Sequence, residues 1–137
     1  MNKPMTAVQR SATRAPVDYT SPEYWSGLIK MSMSKFFVLC VINRKAMHGY
    51  EITKAVETMT NGCCAPTPGA LYPVLREFEE GGYVTVREAI VQGRARKVYT
   101  VTDKGKEAFK VAAKVWMDIG QCITASAEGH CDSDGCC

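Results

Sequence analysis

Thr67-Pro68 at one end and Gly81-Gly82 at the other bracket a stretch that reads as one helix, and the rest of the chain has to be arranged around it. Thr67 supplies an N-cap acceptor. Pro68 fills the first helical position, where a missing N–H costs nothing. The closing glycines can take the left-handed conformation that helix ends favour. Leu71, Leu75 and Phe78 recur at helical spacing beside Ala70 and Val74, so one face is apolar and must lie on a core. Thr67, Tyr72, Arg76 and Glu79 fall on the other face. Two adjacent cysteines, Cys63 and Cys64, immediately precede the helix.

The flanking segments suggest what this helix is for. Ser21-Pro22-Glu23 reads as a helix start leading into Tyr24, Trp25, Leu28 and Ile29. A second apolar segment from about Met31 to Asn43 reads as a mostly buried helix, with Cys40 as an ordinary core thiol. His48-Gly49 marks a turn or helix start, followed by a helix to about Thr60 with Ile52, Val56 and Met59 as its stripe and Gly62 as terminator. Two helices joined by a short turn form a helix-turn-helix unit, with Thr67–Gly81 as the recognition helix. Beyond it, Tyr83–Val91 and Lys97–Val101 alternate around Gln92-Gly93-Arg94-Ala95, which predicts a β-hairpin with Arg94, Arg96 and Lys97 at its tip. A basic hairpin after a helix-turn-helix is the winged-helix arrangement. Thr102 caps a last helix, about Lys104 to Ala127, whose stripe of Ala108, Ala112, Val115, Trp116, Ile119 and Ile123 needs a partner.

The expected fold is therefore mainly α with a small β-hairpin. A flexible arm (1–20) leads to a winged helix-turn-helix domain (21–103), a C-terminal dimerisation helix (104–127) and a Cys-rich flexible tail (128–137). A chain of 137 residues, 46% hydrophobic and 23% charged, suits one small globular domain. Its net charge of +3 permits nucleic-acid binding without demanding it. No apolar run approaches the roughly 20 residues a membrane span needs. The start lacks the apolar segment of a secretory signal, so the expected location is cytoplasmic. Neither His48 nor His130 has a nucleophile or acid partner at recognisable spacing, and no Gly-rich phosphate loop occurs, so no enzyme is expected.

His48-Gly49-Tyr50-Glu51-Ile52, then Gly69 through Arg76, then Gly81-Gly82-Tyr83-Val84, and finally Arg96 through Gly105 together resemble the PadR-like family of winged-helix transcriptional regulators. The resemblance covers roughly Leu28 to Phe109. It implies a homodimeric repressor whose C-terminal helix exchanges contacts with the partner's N-terminal helix, as in the compact branch of the family. Members respond to varied small molecules, phenolic acids among them. The cysteines depart from that pattern.

Thr67, Gly69, Tyr72 and Arg76 are the candidate contacts of the recognition helix with double-stranded operator DNA, and Arg94, Arg96 and Lys97 those of the wing. The seven cysteines are Cys40, Cys63, Cys64, Cys122, Cys131, Cys136 and Cys137. An odd count in a chain without a signal peptide argues against a disulfide framework. Cys63-Cys64 and Cys136-Cys137 are vicinal pairs, with Cys131 near the second. Zinc pairs are usually spaced by two to four residues, whereas adjacent thiolates suit a soft ion content with two or three sulfurs. Cys63, Cys64, Cys131, Cys136 and Cys137 are thus candidate ligands of an effector. Arsenite or antimonite, As(III) or Sb(III), is favoured over mercuric or cadmium ion. Two alternatives are an organic effector between subunits near Trp25 and Trp116, and a thiol redox switch.

Overall fold

The computed structural model describes residues 14–129. Four helices and three strands follow in the order α1 (Pro22–Arg44), β1 (Met47–His48), α2 (Gly49–Met59), α3 (Pro68–Glu80), β2 (Val84–Val91), β3 (Arg94–Val101) and α4 (Asp103–Ala127). The expected winged helix-turn-helix is present. The strands form one antiparallel sheet in the order β1-β3-β2.

The two expected N-terminal segments are one continuous helix. Nothing in α1 breaks its backbone ladder between Ile29 and Met31, since no Gly or Pro lies there. Ser21 occupies its N-cap position, but the hydroxyl donates to Glu23 Oε2 at 2.6 Å and does not receive a backbone N–H. Residues just before it fold back, with the Trp25 indole N–H donating to the Tyr19 carbonyl at 2.8 Å. With its two halves joined, α1 is long and apolar enough to cross a membrane by length and composition (mean hydropathy 1.4). The expectation drawn from the broken segments is corrected to that extent. Its Val38–Ile42 run, however, is buried in the protein's own core.

That core joins Val38, Val41 and Ile42 of α1, Ile52 and Val56 of α2, Leu71 and Leu75 of α3, Val84, Tyr99 and Cys64. Strand β1 has no counterpart in the sequence reading. Two residues cannot show alternation, and their pairing of Met47 with Tyr99 and His48 with Val98 is set from across the sheet. His48 then caps α2 reciprocally: its Nδ1 accepts from Glu51 N at 3.4 Å, while its own N donates to Glu51 Oε2 at 3.2 Å.

The start of α3 is as expected, with Ala70 N donating to Thr67 Oγ1 at 3.3 Å. At its end only Gly82 is left-handed (φ +79°), while Gly81 stays helical. Tyr83 N donates to Phe78 O and Gly82 N to Glu79 O, the paired bonds of a Schellman ending. Pro73 lies inside the helix and cannot donate to the carbonyl of Gly69, four residues back.

The start of α4 is clamped to this corner. Thr102 Oγ1 donates to Gly82 O at 2.6 Å and accepts from Gly105 N at 3.1 Å. Lys104 Nζ donates to Gly81 O at 2.7 Å and lies 4.6 Å from the Tyr83 ring centroid. Farther along, Phe109 stacks on Phe36 of α1 with centroids 5.7 Å apart. Beyond that contact α4 leaves Val111, Val115, Met117, Ile119 and Ile123 exposed, opposite an α1 whose Trp25, Leu28, Ile29 and Met31 are exposed as well.

Gly105 is the buried residue of α4, and a Cβ there would meet the Tyr83 carbonyl oxygen and lie 2.7 Å from Val101 Cγ2. Gly105→Ala is expected to destabilise the protein by about 1–3 kcal/mol, the usual cost of overpacking, read from the urea midpoint. An unchanged midpoint would show that α4 is not fixed by this corner.

Candidate nucleic-acid interface and thiol pair

Thr67, Gly69, Tyr72 and Arg76 are all exposed on α3. Gly69, Tyr72 and Arg76 are spaced three and four residues apart and share one face of the helix. Gly69 opens onto free space, since nothing lies within 4 Å of where its Cβ would be. Tyr72 has a structural contact beside its exposed one. Its hydroxyl lies 2.8 Å from the position a Cβ on Gly49 would take, so the phenol rests on the first residue of α2. The ring thereby packs α3 against α2, and a Cβ at Gly49 would push the phenol aside.

The wing differs from its expected form at the tip. The connection is the two-residue turn Gln92-Gly93, both left-handed at φ 52° and 78°, which matches the twist of the strands. Arg94 and Ala95 belong to β3, where they pair with Val91 and Ile90. Alternation then divides the three basic residues. Arg94 and Arg96 face a cleft against the N-terminus of α2, lined also by His48, Tyr50, Glu51 and Gln92. Lys97 lies opposite Glu88 on the other face. Arg76, Arg94, Arg96 and Lys97 take no part in any of the ion pairs among the described residues. Their charge remains available to an external anion.

Tyr50 is the functional candidate that the sequence reading passed over. It is 60% exposed at the mouth of this cleft, with Lys54 Nζ 5.6 Å from its ring centroid. The one available signal was its place at the second position of α2, where a first-turn side chain points past the helix start.

The vicinal thiols lie between α2 and α3, as their position in the sequence required, but in unlike environments. Cys63 is half-buried. Cys64 is only 1% exposed and belongs to the core. Burial pushes the Cys64 thiol up to about 11; hydrogen bonding with Cys63 and its charge act in the same direction, and Lys30 acts weakly against them. Cys40, also buried, is likewise raised by desolvation, and its Sγ lies 3.8 Å from Met59 Sδ. No group of three or more His, Cys, Asp or Glu side chains that could hold a metal ion is present among the described residues. Cys131, Cys136 and Cys137 lie outside the described residues.

The comparisons with known proteins agree with this geometry. Residues 38–111 match the model of the transcriptional regulator PadR-like family. The chain belongs to the PadR-like family. It is 33% identical over 73 residues to the transcriptional regulator YqjI of Escherichia coli, covering 53% of this chain and 34% of that one. It is 29% identical over 79 residues to the negative transcriptional regulator PadR of Bacillus subtilis, covering 56% and 43%. The chain thus spans well under two thirds of the length of these two relatives. The crystal structure of smu.1704 from Streptococcus mutans superposes with a TM-score of 0.66 at 25% identity, covering 74% of this chain and 92% of that one. The matched region holds the helix-turn-helix and the wing. PadR-like proteins are transcriptional regulators, not enzymes.

Cys64 is a thiol whose proton is held more tightly in the folded state than at the ordinary value of 9.0. Its contribution to stability is therefore complete below pH 9 and is lost as pH rises toward 11. The urea midpoint of the wild type is expected to fall over that window more than that of Cys64→Val. At neutral pH iodoacetamide is expected to modify Cys63 at least about tenfold faster than Cys64. Equal rates would place both thiols at the surface.

Proposed function

We propose that the protein is a homodimeric, DNA-binding transcriptional repressor, released from its operator by a thiophilic metal or metalloid ion held by cysteine thiolates. Two observations carry the DNA part: the exposed face of α3 with Gly69, Tyr72 and Arg76, and Arg94 and Arg96, held in no ion pair among the described residues, in a cleft at the start of α2, the helix on which Tyr72 rests. In this reading α3 enters the major groove with Gly69 and Thr67 allowing close approach. Arg76 reaches a phosphate or a guanine edge. Arg94 and Arg96, with Tyr50, hold the backbone alongside. Lys97 contributes from the far side of the wing. Tyr72 positions α3 and offers its hydroxyl at the rim. Repression is the action that the Bacillus subtilis relative's name describes.

Two exposed apolar stripes, Trp25–Met31 on α1 and Val111–Ile123 on α4, support the dimer. Joining them between two copies would cover the apolar side chains that a single chain leaves bare. The reading places the protein in the cytoplasm with its DNA.

The thiophilic effector rests on Cys63-Cys64, positioned in the turn that sets α3 against α2, with Cys131, Cys136 and Cys137 of the tail as further ligands. Arsenite and antimonite lead, then mercuric and cadmium ions. For release the ion must bind the DNA-free form more tightly, and a coupling of about 3 kcal/mol weakens DNA binding roughly a hundredfold. A second reading, an organic effector, is favoured by one observation: a groove of about 310 Å³ between α1, α3 and α4, lined by Leu39, Phe78 and Tyr83 and crossed by the Lys35–Glu77 ion pair at 2.9 Å.

Mobility shifts on DNA from upstream of the gene test both parts. Arg94→Ala with Arg96→Ala is expected to weaken binding at least about tenfold and to lower the salt slope by about two. No change would remove the wing from the interface. Arsenite or antimonite is expected to release the wild type and not the variant Cys63→Ser, Cys64→Ser. Release by a phenolic acid alone would favour the groove. Release by peroxide, reversed by dithiothreitol, would make the thiols a redox switch.

A further inference from the structure

We propose that Cys63 and Cys64 form a two-thiol capture site for trivalent arsenicals, and that closing it draws Cys64 out of the core beneath α3. This rests on the thiophilic reading above and adds the means by which the site acts on DNA.

The two residues are chain neighbours in the α2–α3 turn, yet Cys63 is half-buried and Cys64 is enclosed. Cys64 shares its cluster with Val56 of α2 and with Leu71 and Leu75, the two buried residues of α3. An arsenic atom carrying its own substituent needs space that a close-packed interior lacks. A bridge between the two sulfurs therefore forms on the side where Cys63 is partly exposed. With a monosubstituted arsenical oxide the chemistry balances without an oxidant. Two S–H bonds and the arsenic–oxygen double bond are exchanged for two As–S bonds, the two protons leave with the oxygen as one water, and arsenic stays trivalent. The first bond forms at Cys63. The second waits for Cys64 to emerge, because burial keeps that thiol protonated.

The local backbone shows what emergence breaks. Cys64 N donates to Thr60 Oγ1 at 3.1 Å, and that hydroxyl in turn donates to Val56 O at 2.7 Å. Cys63 N donates to Thr60 O at 3.1 Å. Asn61 and Gly62, both left-handed, complete the turn. Thr60 is thus the clip that seats Cys64 against the end of α2. Only Ala65 and the buried Pro66 separate Cys64 from Thr67, the cap of α3. Withdrawing Cys64 leaves a void beside Leu71 and Leu75 and pulls on the end of α3 that carries Thr67 and Gly69. The loaded state and the α3 setting shown here exclude one another. By reciprocity, operator DNA must weaken arsenical capture by the same factor that the arsenical weakens DNA binding.

Phenylarsine oxide, added to the full-length protein, is the probe. Peptide mapping by mass spectrometry is expected to find one phenylarsenic bridging Cys63 and Cys64. Amide hydrogen exchange over residues 64–71 should rise at least about tenfold, as local opening requires. Operator DNA should be released, and prior DNA binding should slow the bridge. Cys64→Val keeps a similar apolar volume in the core. It is expected to bind DNA as the wild type does and to lose both the release and the exchange increase. Cys63→Ser repeats the test at a partly exposed position that packs against the core without belonging to its buried cluster. A bridged adduct with unchanged exchange over α3 would overturn the withdrawal of Cys64 and leave the thiophilic reading standing. A Cys64→Val protein released as readily as the wild type would overturn the pair as the site, again leaving that reading to the other cysteines. If neither phenylarsine oxide nor any thiophilic ion releases the wild type, both fall.

Discussion

Five consecutive residues of α1, Val38 to Ile42, are buried, and every other element is positioned by that fact. A helix can be buried on all sides only where neighbours surround it. Here α2, α4 and the sheet supply them. α3 completes the same core through Leu71 and Leu75. The outward face of α3 is therefore set indirectly, through side chains on its opposite, buried face. Tyr72 against Gly49 adds a second fixing point. A change at either buried leucine would be felt at Gly69 and Arg76 as a change of angle.

The first half of α1 behaves oppositely. The same helix is central to the core at one end and bare at the other. Its membrane-like composition has two physical sources that hydropathy cannot separate: a residue that is apolar for a partner helix looks the same as one that is apolar for lipid. The exposed stripe of α4 lies within reach of the same solution. Assembly would then be a condition of α1 being satisfied along its whole length.

Much of this was legible in the sequence. Thr67, Thr102 and Gly82 act as caps and terminators because their chemistry is local, and local rules need no tertiary information. The alternating strands were readable for the same reason. What escaped was non-local. Strand β1 exists only because Tyr99 and Val98 offer it an edge. The tip of the wing was read two residues too long because Arg94 and Ala95 look like turn residues until they are paired. At the thiol pair, the position was evident and the asymmetry was not. Adjacent residues in an irregular turn follow no periodicity, so nothing in the order Cys63-Cys64 says which sulfur faces inward.

The two-residue Gln92-Gly93 turn carries one more consequence. With no loop at the tip, Arg94 and Arg96 are mounted on a strand whose backbone is tied to β2 from end to end. Their main chain has already surrendered its conformational freedom on folding, so docking need immobilise only two side chains. Such a wing is a short, stiff jaw whose span is set by strand length and twist. In the proposed complex it would grip a backbone that passes at the right height, and it could not reach for one that does not.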